Sequence, residues 1–251
     1  MIITKQYLLY FLIYKNLQLK YKHSTLGFVW SVLHPLFYLA IFIAVFSKAF
    51  PSLPNYPLFV LSGLIFWIYF SGSTNQLCQV FIRHTHLIKS QNVPVYMYPI
   101  AEQISELFSF SIGLVVFIVL MAFFGMHITP VLLCIIPVIL LFSFFSYSVG
   151  IILGSLNVFF RDVNILWNTL NPALFYLSPI AYSYDILPGK YHFIATINPL
   201  SYFFAIIRDI LYTGNLPGLR NTFIACLITG FTSLIAGFIF RKTKNGFVSS
   251  L

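Results

Sequence analysis

The chain has 251 residues, 59% of them apolar and only 8% charged, with 14 Lys and Arg against 5 Asp and Glu for a net charge of +9. A soluble domain carries roughly 25% charged residues to solvate its surface. This composition, with a mean hydropathy of +0.91, therefore excludes a water-exposed globule and points to lipid as the solvent. Uncharged runs cover 23–47, 49–82, 107–160, 163–184 and 221–240. Each is long enough for a crossing of about 20 residues, and the third for two.

In chain order, Ile3, Tyr7, Tyr10, Tyr14, Leu17 and Tyr21 recur at steps of four and three. The spacing predicts an amphipathic helix over 1–22 that lies in the headgroup plane, its Tyr rings half buried and their hydroxyls wet. The segment has no apolar core followed by a small-residue cleavage site, so no removed signal peptide is expected. A first span is predicted at 28–47 and a second at 58–81, separated by Pro51, Pro54 and Pro57, which cannot continue a helix. Residues 82–99 are too polar to cross and leave room for one short helix before Pro94. A third span at 104–125 turns tightly into a fourth at 131–156. Arg161 and Asp162 break the apolar run before a fifth at 165–184. The stretch 185–220 is expected to hold two short helices, about 190–196 and 199–212. The second of these is signalled by Asn198-Pro199 at its start and Gly214 at its stop. These helices suit either the lid of a pathway or a surface packed on the bundle. A sixth span at 221–240 completes one all-α polytopic domain over 1–251.

Lys5, Lys15, Lys20, Lys22, Arg83, Lys89, Arg161, Arg241, Lys242 and Lys244 fall on one side of these spans. Lys48, Lys190, Arg208 and Arg220 fall on the other. Ten against four places both termini in the cytoplasm. Topology thus accounts for the basic balance, and nucleic acid is not expected as a partner.

The chemistry absent from the chain is as informative. Cys78, Cys134 and Cys226 stand singly in apolar runs and read as small core residues, with no metal site. No GxxxxGK[ST] is present, so the chain is not expected to hydrolyse ATP by itself. No acidic residue sits at a span centre and only His34 lies inside one, which disfavours an ion-coupled carrier; rings of charge or a filter loop are also lacking. Glu102 and Glu106 stand one turn apart at the start of the third span. They read either as acids favoured by the helix dipole or as a contact for a basic partner surface. The 29 Phe, 16 Tyr and 3 Trp make up 19% of the chain. Some form interfacial belts. Others, with Trp67, Phe70, Trp167, Phe175 and Tyr176 as candidates, would stack on sugar rings if they line a conduit. A membrane glycosyltransferase would need acids at the membrane surface, where the choice is limited to Glu102, Glu106, Asp162, Asp185 and Asp209.

Four segments carry a resemblance. KYKHSTLGFVWSVLHP at 20–35, GSLNVFFRDV at 154–163, SPIAYSYDILP at 178–188 and INPLSYFFAIIRDILYTG at 197–214 resemble, in order and spacing, the permeases of type 2 ABC transporters that export polysaccharides. The resemblance implies a homodimer of six-span permeases in the bacterial cytoplasmic (inner) membrane, joined by two cytoplasmic ATP-binding cassette subunits. The substrate it implies is a lipid-linked glycan of the O-antigen, capsule or teichoic acid type. ATP and magnesium would sit on the partner, and no cofactor on this chain. A permease for a small hydrophobic drug or lipid is the alternative within the same superfamily.

By position, the resemblance assigns Arg83, His84, Ile88 and Lys89, with Glu102 and Glu106, to coupling with the ATPase. It assigns Tyr21, Lys22, Ser24, Gly27, Trp30, Arg161 and Asp162 to an inner-leaflet substrate entrance, although Arg161 reads equally as a snorkelling cation. Asn198, Pro199, Arg208 and Asp209 fall to an outer gate, with a local Arg208–Asp209 ion pair as the simplest expectation for the last two.

Overall fold

The structure is a computed structural model that describes residues 2–22, 27–46, 54–90, 93–126, 129–183, 189 and 192–247. Among them it contains helices and turns and no strand. In order these are α1 (Ile2–Tyr21), α2 (Trp30–Phe46), α3 (Tyr56–Arg83), α4 (Thr85–Ser90), α5 (Met97–Phe123), α6 (Ile135–Phe159), α7 (Asp162–Leu177), α8 (His192–Ile197), α9 (Pro199–Leu211) and α10 (Leu219–Thr243). Short 3-10 turns at Gly27–Val29, Pro130–Cys134 and Lys244–Gly246 precede α2, precede α6 and follow α10.

Among the described residues, four helical segments are long and apolar enough to cross a bilayer: Tyr56–Arg83, Met97–Phe123, Pro130–Phe159 and Leu219–Thr243. α2 and α7 are 17 and 16 residues long, short of the roughly 20 that a straight crossing needs. α7 ends at Leu177 rather than at 184, because Ser178 precedes Pro179 and takes an extended conformation (φ −94°, ψ 140°), as the residue before a proline prefers. α5 begins at Met97, seven residues ahead of the expected start at 104, because Pro99 falls in its first turn, where no intrahelical N–H is required.

α3 is the axis of the bundle. Leu58, Leu61, Leu64, Phe66, Leu77 and Phe81 on it are fully buried, and α2, α5, α6, α7 and α9 pack around it. Against α6 the approach is close. Asn157 donates Nδ2 to the Cys78 carbonyl at 2.8 Å, and Gly154 lies so near that a Cβ there would stand 2.4 Å from the Leu77 carbonyl oxygen. α10 instead exposes Phe223, Leu227, Phe231, Leu234 and Phe238 along one stripe, the face of a helix solvated by lipid.

α1 packs on α5 through Leu8, Leu9, Leu12 and Ile13, whereas Tyr7, Tyr10 and Tyr14 are exposed. The tyrosine stripe therefore faces away from the bundle, and a leucine face makes the contact. A second apolar cluster joins Leu12, Phe81, Ile88, Tyr98, Val158 and Phe247. It gathers α1, α4, the start of α5, the ends of α3 and α6, and the turn after α10.

Candidate functional site

A cavity of about 830 Å³ opens between the end of α1 and helices α2, α3, α5 and α7. It follows α3 from Leu64 to Gln76, about 18 Å at 1.5 Å per residue. Its walls are aromatic, with Trp30, Tyr38 and Phe42 from α2, Trp67 and Tyr69 from α3, Phe110 from α5, and Phe175 and Tyr176 from α7. Of the five aromatics singled out for a conduit, Trp67, Phe175 and Tyr176 line this cavity. Phe70 and Trp167 form the layer behind, with Phe70 5.8 Å from Trp67 and 6.2 Å from Trp167 between ring centroids.

One end of the cavity is polar. Lys20 Nζ donates to both Glu106 carboxylate oxygens and to Ser109 Oγ, each at 3.0 Å, and His34 lies beside them on the lining. Glu102 forms a second ion pair, at 3.4 Å with Arg83. Both acids therefore find cations within the chain. Neither stands in the first turn of α5, so the helix-dipole reading does not hold, because the extra turns at the start of α5 move them inward. Sequence carries no signal for the Lys20–Glu106 pair. Tyr38 and Phe42 were legible as continuing the His34 face at helical spacing.

The residues expected at a substrate entrance separate. Gly27 and Trp30 line the main cavity, while Lys22 is exposed at the end of α1. Arg161 instead lines a second cavity of about 290 Å³ with Gln79, Ile82, Asn157, Asn164 and Ile165, and Asp162 is exposed in the first turn of α7. Ser24 and the side chain of Tyr21 lie outside the described residues.

Between the two cavities runs a polar seam that the sequence reading passed over. Ser71, Asn75 and Gln79 share a face of α3, and Asn164, Asn168 and Asn171 share a face of α7. Ser71 Oγ donates to Asn171 Oδ1 at 2.9 Å, and Gln79 Nε2 donates to Asn164 Oδ1 at 3.0 Å. The signal was present as amides at i, i+4 spacing inside apolar runs.

The residues expected for coupling divide into buried and exposed sets. His84 and Ile88 are buried. The His84 ring lies 4.7 Å from that of Tyr98, with Nδ1 2.9 Å from the Val80 carbonyl. Burial, aided by nearby Lys15 and Arg83, holds the imidazole below its ordinary range despite that hydrogen bond. Lys89 is exposed, as is much of Arg83.

At the opposite end of the bundle, Asn198 caps α9 by accepting from the Leu200 N–H at 3.0 Å. Its Nδ2 donates to Ser178 Oγ at 2.9 Å, and Pro199 occupies the first helical position. Arg208 does not pair with Asp209. Its Nη2 donates to the Ile180 carbonyl at 2.7 Å and its guanidinium carbon lies 3.9 Å from the centroid of the Phe59 ring, an arrangement of the cation–π kind. Asp209 Oδ2 accepts from the Gly218 N–H at 3.0 Å. Adjacent helical residues point about 100° apart and do not face each other, so each takes its own partner.

The family model described as ABC-2 type transporter matches residues 7–212. The chain belongs to the ABC-2 type transporter family. This permease is 32% identical over 241 residues to the O-antigen export system permease protein RfbA of Klebsiella pneumoniae, covering 94% of this chain and 92% of that one. It is 24% identical over 247 residues to the protein of that name in Myxococcus xanthus, at 97% and 95% coverage. With the polysialic acid transport protein KpsM of Escherichia coli the identity is 23% over 246 residues, at 94% and 93% coverage. Membership makes it a membrane-embedded transport subunit of an ABC transporter.

Proposed function

We propose that this permease is the membrane subunit of an ATP-driven exporter that carries a lipid-linked polysaccharide outward across the bacterial cytoplasmic membrane. It works as a homodimer with two separate ATP-binding subunits that hold ATP and magnesium. The observation that carries the reading is the likeness to an O-antigen export permease along 94% of the chain. The aromatic-walled cavity suits such a cargo, because aromatic rings stack on the apolar faces of sugars.

In this reading α2, α3, α5, α6, α7 and α10 cross the membrane. The ten-to-four distribution of Lys and Arg puts both termini in the cytoplasm. α1 then lies on the inner leaflet with Tyr7, Tyr10 and Tyr14 in the headgroups. α4 is seated on its own bundle by Ile88 and His84, which leaves Lys89 and Arg83 for the ATPase. Gly27, Trp30 and Lys22 border the entrance, and α8 and α9, tied down by Asn198 and Arg208, close the outer side.

Deleting the gene for this permease in its host tests the reading. Surface polysaccharide is expected to disappear while the lipid-linked glycan accumulates at the inner leaflet, and the plasmid-borne chain restores it. Undiminished surface polysaccharide in the deletion strain overturns it.

A further inference from the structure

The contact between α3 and α7 has a polar part beside its aromatic one. Ser71, Asn75 and Gln79 recur every fourth residue on α3, and Asn164, Asn168 and Asn171 follow at the same kind of spacing on α7. Besides the two cross-helix bonds, Asn168 Nδ2 donates to Asn164 Oδ1 at 3.4 Å and Asn75 Nδ2 to Ser71 Oγ at 3.5 Å. Trp167 and Asn171 are the buried residues of α7, so one of the two positions that seat this helix is an asparagine.

As packing, this seam is poor. Hydrogen bonds between helices in lipid stabilise only modestly, and these leave buried atoms unmatched. Asn75 Oδ1, Asn157 Oδ1, Asn171 Nδ2 and Trp167 Nε1 all lie buried on or beside the seam without a hydrogen-bond partner among the described residues. Pro172 also withdraws the amide that would bond the Asn168 carbonyl. Unpaired groups of this kind call for an explanation, and intramembrane polar groups commonly mark a substrate path. The placement supplies one. Ser71 and Asn171 line the large cavity, Gln79 and Asn164 line the small one, and the seam joins the two.

We infer that the α3–α7 amide seam is a hydroxyl-binding track for the glycan in transit, closed on itself when empty. The inference rests on the export reading above and adds to it where the sugar is held. A sugar hydroxyl both donates and accepts, so a chain inserted between the ladders replaces the Gln79–Asn164 and Ser71–Asn171 bonds with bonds to its own hydroxyls. It also satisfies the leftover donor on Asn171 and the acceptors on Asn75 and Asn157. The ladders carry no charge and, apart from the Ser71 hydroxyl, repeat the amide group. They grip successive sugars weakly and with little regard to their order, while Trp67, Phe175 and Tyr176 meet the apolar ring faces.

The test replaces the seam by apolar side chains that still fill it: Ser71→Ala with Asn171→Leu, and separately Gln79→Met with Asn164→Leu. Each is expressed in the host deleted for this permease. At equal permease in the membrane and equal co-purified ATP-binding partner, each pair is expected to slow the appearance of the host's own surface polysaccharide at least tenfold. A rate within twofold of the unmodified chain overturns the track, since a seam that only packs tolerates apolar filling. Asn168→Leu guards against misfolding, because Asn168 is exposed and its side chain bonds within α7. A threefold slowing is expected, and no change overturns the track.

The three tryptophans give a direct readout, as Trp30 and Trp67 line the cavity and Trp167 sits on the seam. Oligosaccharides of four to eight sugars, cut from the host's surface polysaccharide, are expected to quench their fluorescence in the purified complex. The half-saturating concentration is expected to rise at least tenfold in Ser71→Ala/Asn171→Leu, and an unchanged value overturns the track. Failure of the unmodified chain to restore surface polysaccharide would overturn the export reading instead.

Discussion

Lys20 and Glu106 stand 86 positions apart and meet at 3.0 Å, with the acid 10% exposed and the lysine 35%. Removing one partner of a buried pair leaves an uncompensated charge and costs about 3–5 kcal/mol where both are sequestered. Solvent at the lysine screens part of that, so Lys20→Met is expected to cost about 1–2 kcal/mol. Lys20→Met with Glu106→Gln is expected to recover most of the loss, because the double variant buries no charge. Thermal unfolding of the detergent-solubilised permease measures both, and equal losses in the single and double variants would dismiss the pair. Arg208 shows the complementary case. Its neighbour in sequence, Asp209, points elsewhere, and its partners are the Phe59 ring from α3 and the Ile180 carbonyl from the stretch after α7.

At the scale of elements, α3 and α6 approach through Gly150 and Gly154, the small-residue spacing that lets membrane helices touch backbone to backbone. A Cβ at Gly154 meets the Leu77 carbonyl oxygen at 2.4 Å, whereas one at Gly150 meets the Leu77 side chain. A carbonyl held in a helix cannot turn aside, while a leucine can change rotamer. Gly154→Ala is therefore expected to lower stability by about 3 kcal/mol, at the upper end of overpacking costs, and Gly150→Ala by less. Permease level in the membrane and the thermal midpoint give the ordering, and the reverse order would contradict this packing. The same elements indicate what could be read in advance. Asn198-Pro199 announced the start of α9, because capping is local chemistry. The early start of α5 was not legible, because residues 82–99 read as a polar loop until Met97 and Tyr98 are buried in the cluster that also holds Phe81, Ile88 and Val158.

At the scale of the molecule, two apolar clusters divide the bundle. One lies around the first half of α3, and the other draws in α1, α4 and Phe247 from the turn after α10. His84 is fixed at the second. Because burial depresses its imidazole, the folded state favours the neutral form. Its contribution to stability is complete above the ordinary imidazole range and is lost as the pH falls through the depressed value. Acidification from pH 7.5 to 5 is expected to lower the thermal midpoint of the solubilised permease, and His84→Gln to shrink that dependence; an unchanged pH profile in His84→Gln would remove His84 as its source.

Composition determined that the solvent is lipid, and the length of the uncharged runs that the chain is helical, because a continuous apolar run of about 20 residues crosses a bilayer as a helix that satisfies its own backbone hydrogen bonds. The four motif segments determined the family, since they are short stretches whose identity survives without a partner in space. The tertiary structure decided which aromatics line a cavity, which acid meets which lysine, and that six scattered Ser, Asn and Gln residues form one seam. Those facts depend on the rotation of each helix about its axis. For α6 that rotation is set by close packing of Gly150 and Gly154 against Leu77 of α3, and for α2, α5 and α7 by their own contacts with α3; hydropathy, which is nearly uniform around these helices, does not encode it.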